Sequence, residues 1–142
     1  MTQSKGIWRK ALVLAIVGGL AFWVTNFAIS RTSIAAEYRS ALSISYFPMI
    51  VESLIGGLIV GFFVSYFLLR FFDKIPKNPI LKSVILSFIA LIIVSILLEV
   101  PSHFLTPTSD PMRYFLIGTL FNVLRILALG IVIGYLYNRL NR

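Results

Sequence analysis

The chain has no cysteine, a single histidine, and five acidic residues against thirteen lysines and arginines. Without cysteine there can be no disulfide, thiolate metal site or cysteine nucleophile, and the redox compartment is left open. The single histidine, His103, excludes any metal centre built on several imidazoles. It stands near Glu99, but one histidine and one carboxylate fall short of a convergent ligand set. Catalytic signatures are missing as well. The sequence contains no HExxH, no GxSxG, no phosphate-cradling glycine loop and no paired aspartates. We therefore assign no catalytic residue, no metal and no cofactor, and the sequence leans away from an enzyme.

Charge itself is scarce. Charged residues make up 13% of 142, whereas a soluble domain carries about 25%. Hydrophobic residues reach 58%. A water-soluble domain of this size could not hide so much apolar surface, because much of its surface must stay wet. The formal net charge of +8 points to cytoplasmic loops and anionic lipid rather than to nucleic acid. No basic stripe with interleaved aromatics lies outside the apolar runs, so nucleic acid is not an expected partner.

What is present is a set of apolar runs long enough for membrane helices, which need about 20 residues each. Four spans are predicted, at about 7–29, 48–70, 80–100 and 112–138. They form one all-α transmembrane domain, 1–142, of two antiparallel hairpins. A signal peptide also has a basic start and an apolar middle, but 11–29 is longer than the usual apolar region of about 7–15 residues, so the first run is read as a retained helix. The connection after it, around 33–42, has good helix formers. It is read as a short interfacial helix, with a bent start to the second span as the alternative. The closely spaced Pro76 and Pro79 mark a tight turn, and Pro101 ends the third span.

Loop charges set the orientation. Lys5, Arg9, Lys10, Arg70, Lys74, Lys77, Lys82, Arg139 and Arg142 fall on one side; Arg31, Arg39 and Arg113 fall on the other. The basic side is cytoplasmic by the positive-inside rule. Both termini are then expected inside, in the plasma membrane.

Small residues recur every fourth position at Ser53, Gly57, Gly61 and Ser65, so they stack as one stripe on a helix. Glycine pairs spaced in this way let helix backbones approach closely. Gly57 and Gly61 reappear as Gly130 and Gly134 at a constant offset of 73, and Lys10 and Lys82 stand 72 apart. The pattern reads as a duplicated hairpin with parallel repeats. It also arises without duplication, since glycine every fourth residue is common in membrane helices. The stripes are expected to hold a partner, either another copy or a larger membrane complex, within the lipid bilayer.

Four polar or charged residues lie inside the apolar runs: Glu52, Glu99, Asn122 and Arg125. An arginine at the bilayer centre costs roughly 2.5–3.5 kcal/mol on insertion scales, so it must face protein or water. The offset of 73 puts Arg125 opposite Glu52, and Glu99 is the rival partner. A buried ion pair fixing helix register is the first expectation. It belongs to a structural or accessory subunit. The other expectation is a small oligomeric transporter or channel with Glu52 and Arg125 along a pathway.

Overall fold

The computed structural model describes the backbone of residues 2–42, 44–71, 78–99 and 110–140, and the side chains of all of these except 2–5, 98 and 99. Among the described residues every regular element is helical. Helix α1 runs Thr2–Ser30, α2 Ser33–Ala41, α3 Tyr46–Phe71, α4 Pro79–Val94 and α5 Pro111–Leu140. Helix α4 continues into a π-helical turn at Ser95–Glu99. Four stretches are long and apolar enough to cross a membrane: Gly6–Ser30, Tyr46–Phe71, Pro79–Leu97 and Pro111–Leu140. The architecture is that of a small multi-pass integral membrane protein.

Helix starts follow from local chemistry. Asn78 caps α4, its Oδ1 accepting the Ile80 N–H at 2.9 Å, and Pro79 takes the first helical position, where its missing N–H costs nothing. Asp110 accepts the Arg113 N–H at 3.3 Å and Pro111 opens α5 in the same way. Proline thus begins these two helices, while the turn expected around Pro76 and the span end expected at Pro101 lie outside the described residues. Thr32 caps α2 through the Ala35 N–H at 3.2 Å. A short helix therefore stands where one was expected, and α3 starts at Tyr46 with Pro48 in its first turn.

Glycine contacts fix how the long helices meet. Helix α1 lies on α3 and α5, and α4 lies on α5; α3 and α4 touch less extensively. A Cβ added at Gly61 would come within 3.1 Å of the Ala15 carbonyl oxygen, and one at Gly57 within 3.1 Å of the Gly19 carbonyl oxygen. At Gly134 it would fall 2.5 Å from Ile80 Cα, and at Gly130 3.0 Å from Val84 Cα. Both pairs run antiparallel, because partner numbers fall as glycine numbers rise. The contacts are also in step with one another. Ala15, Gly19 and Phe22 on α1 do for α3 what Ile80, Val84 and Ser87 on α4 do for α5, at a constant offset of 65. The sequence offset of 72 between Lys10 and Lys82 is therefore not the packing register of these helices.

These contacts correct one expectation. Ser53, Gly57, Gly61, Ser65, Gly130 and Gly134 are all buried within the chain. Their glycines are met by α1 and α4 of the same chain. What the long helices turn outward is bulky, including Ile59, Phe63 and Phe67 on α3 and Ile85 and Ile89 on α4. The buried centre joins both pairs, with Leu14, Leu68, Leu129 and Ile133 fully enclosed.

Candidate functional site

Helix α5 packs on both α1 and α4. Midway along it stand Asn122 and Arg125, three residues apart and hence on one face. Across from them α1 presents Asn26. The register is set lower down, where Gly18 meets Ile133. Eight residues on from Gly18 is Asn26, and eight back from Ile133 is Arg125, so a single antiparallel register brings the two together.

Arg125 is fully engaged by these neighbours. One Nη donates to Asn26 Oδ1 at 2.8 Å and the other donates to Asn122 Oδ1. Its Nε donates to the Phe121 carbonyl one turn back, at 3.2 Å. The guanidinium carbon lies 5.6 Å from the Phe22 ring centroid, a cation–π contact. Asn26 is 3% exposed and Asn122 8% exposed. Amide oxygens that accept from a charged donor make stronger bonds than neutral pairs do. This polar surround offsets much of the cost of holding a cation at mid-helix depth. Asn26 Nδ2 is buried and makes no hydrogen bond among the described residues.

Glu52 is not part of this cluster. It lies on the exposed side of α3, next to the exposed Val51, and joins no ion pair among the described residues. The expected Glu52–Arg125 pair is therefore corrected. The reason is the stripe itself. Ser53, Gly57 and Gly61 must face α1, and Glu52, one residue earlier, is swung about 100° away from that face. On α5 the glycines face α4, and the same rotation carries Arg125 toward α1. The side chain of Glu99, and all of His103, lie outside the described residues.

The sequence reading missed three features. Asn26 is one, although a lone amide near the end of an apolar run was a signal. Lys82 is another. It was read as a loop charge, but it is only 7% exposed, its Nζ 5.5 Å from the Tyr137 ring centroid. The third is the tie between α2 and the rest. Glu37 pairs with Arg113 at 2.9 Å and accepts from the Tyr114 hydroxyl at 3.3 Å. Tyr38 lies against Gly118, where an added Cβ would be 2.7 Å from its hydroxyl oxygen. Arg39 donates to the Ser30 carbonyl at 3.1 Å and stacks over Tyr46 at 5.0 Å. Nearby, Trp23 Nε1 donates to the Ile50 carbonyl at 3.1 Å, an anchor between α1 and α3. These short contacts are set by tertiary register, which local pattern does not reveal.

Among the described residues, no group of three or more His, Cys, Asp or Glu side chains could hold a metal ion. No family model, no curated protein and no solved structure matches the chain.

Proposed function

We propose that the protein is a structural or accessory subunit of a membrane assembly, with Arg125 locking α1 against α5. The observation that carries this is the engagement of the guanidinium by Asn26 on one helix and by Asn122 and Phe121 on the other. Such a cross-helix polar contact resists sliding, because a one-residue slip would strand its members in an apolar interior. The chain is two hairpins, α1–α3 and α4–α5, and the matched glycine contacts support a duplicated origin. Loop charge supports cytoplasmic termini in the plasma membrane. With the small-residue stripes filled from within, a partner or second copy meets the bulky outer faces. We assign to it the groove between α3 and α4, lined by Ile59, Phe63, Phe67, Leu86, Ile89 and Ile93.

A transporter or channel is the second reading. The observation favouring it is the unmet Asn26 Nδ2 beside a cation. Against it, Glu52 and Arg125 point to different faces and share no pathway.

Reconstitution separates the two. In proteoliposomes the wild-type protein should give no ion conductance or solute flux across pH 5–8. The triple variant Asn26→Leu, Asn122→Leu, Arg125→Met should stay folded and should co-migrate with the same assembly in native gels of mild-detergent extracts. Flux that disappears in the triple variant would overturn the accessory reading.

A further inference from the structure

At the end of the bundle where α1 stops and α3 begins, α1, α2 and α3 surround an open cavity of about 550 Å³. Ser30, Arg31, Thr32, Ser33, Arg39 and Tyr46 line it. Among the described residues, no carboxylate does. Glu37, the nearest acid along α2, is held by Arg113 at 2.9 Å. Arg39 is fixed in place by the Ser30 carbonyl and the Tyr46 ring, while Arg31 is exposed, its guanidinium 6.0 Å from the Phe27 ring centroid. Thr32 occupies the Ala35 and Ala36 N–H groups with its hydroxyl and carbonyl oxygens. The Ser33 and Ile34 N–H groups, in the first turn of α2, have no acceptor within the helix. The Ser30 and Thr32 hydroxyls donate to the Phe27 and Ile29 carbonyls and the Tyr46 hydroxyl pairs with that of Ser30, so two guanidinium groups, the Ser33 hydroxyl and these N–H groups are what the recess offers an anion. Arginine forks match phosphate oxygens in geometry and charge.

Depth identifies the source of the anion. Ser30 ends one apolar span and Tyr46 begins the next, so the cavity lies where helices leave the hydrocarbon and headgroups begin. We propose that it binds the phosphate of an anionic phospholipid, gripped by Arg31 and Arg39, with the acyl chains running down the adjoining apolar surface. The proposal does not depend on the accessory reading.

Native mass spectrometry of the delipidated protein tests it, with phosphatidylglycerol, a diacylglycerol of the same chains and inorganic phosphate as separate probes. One phosphatidylglycerol should bind, diacylglycerol should not, and inorganic phosphate should not displace the lipid. Arg31→Gln should weaken lipid binding about tenfold, the worth of one charge-assisted bond. Ser33→Glu should abolish it while leaving the helix intact, because a carboxylate suits a helix N-terminus but repels phosphate. Arg9→Gln, which removes an equal charge elsewhere, should change nothing. Equal loss in the Arg9 and Arg31 variants, or equal binding of diacylglycerol, would overturn the proposal. Displacement by inorganic phosphate would reassign the cavity to a soluble anion and overturn the lipid assignment.

Discussion

Helices α3 and α5 carry the same glycine spacing, yet the charged residues five positions before Gly57 and Gly130 meet opposite fates. Glu52 points away from the bundle, whereas Arg125 is drawn into it between Asn26 and Asn122. The glycine stripes behave alike, each pressed onto the preceding long helix. The difference lies in what stands on the second side. Helix α5 has α1 there as well as α4, while α3 has only a thin contact with α4. A repeated sequence pattern therefore fixes pairing within each pair of helices, and the position of a helix in the bundle decides whether its other face is buried. Charge at an equivalent repeat position does not imply charge pairing.

The comparison can be pressed hardest at the glycines. Gly134→Ala places a methyl 2.5 Å from Ile80 Cα and 2.9 Å from the Pro79 carbonyl oxygen, neither of which can move without shifting α4. We expect a loss of about 2–3 kcal/mol in detergent unfolding titrations, the upper range for overpacking. Gly61→Ala meets the Ala15 carbonyl at a looser 3.1 Å and should cost less. Next comes the charged pair of positions. Arg125→Leu strands two buried amides and should cost about 1–2 kcal/mol, near the top of the range for polar contacts between membrane helices. Glu52→Gln should stay within about 0.5 kcal/mol, as exposed substitutions do. Comparable losses from the two would erase the distinction between α3 and α5.

Smaller effects sharpen it further. Glu37→Gln weakens the tie from α2 to Arg113, an exposed ion pair with roughly half of each side chain accessible, and should cost about 0.5 kcal/mol or less. The loss should shrink in high salt, measured as a smaller shift in melting temperature. Gly56→Ala stands beside the glycine stripe but meets nothing within 4 Å. It should be neutral, or stabilising by up to about 1 kcal/mol through helix propensity. A loss at Gly56 as large as that at Gly134 would mean the α3 face is packed differently.

Much of the fold was legible in the sequence. Apolar run length is set by bilayer thickness, and each predicted span falls on one long helix over its described residues. The glycine stripes were legible because close backbone approach leaves no other residue suitable. Their partner was not, since a stripe states that something packs on it without saying what. Arg125 stood out because a charge in an apolar run is costly. Its contact with Asn26 was not legible, because opposite charge at an equivalent position is a more conspicuous signal than a neutral amide. Lys82 was misread because a long aliphatic stem can be buried at a helix start while its amine reaches an aromatic ring.

The central claim is that Arg125 is tied to α1 through Asn26 and not to α3 through Glu52. Two double-mutant cycles measured under one unfolding condition test it most directly, Asn26→Leu with Arg125→Leu and Glu52→Gln with Arg125→Leu. The account predicts a coupling of about 1 kcal/mol in the first cycle and additivity within about 0.3–0.5 kcal/mol in the second. Additivity in the first cycle together with coupling in the second would contradict it.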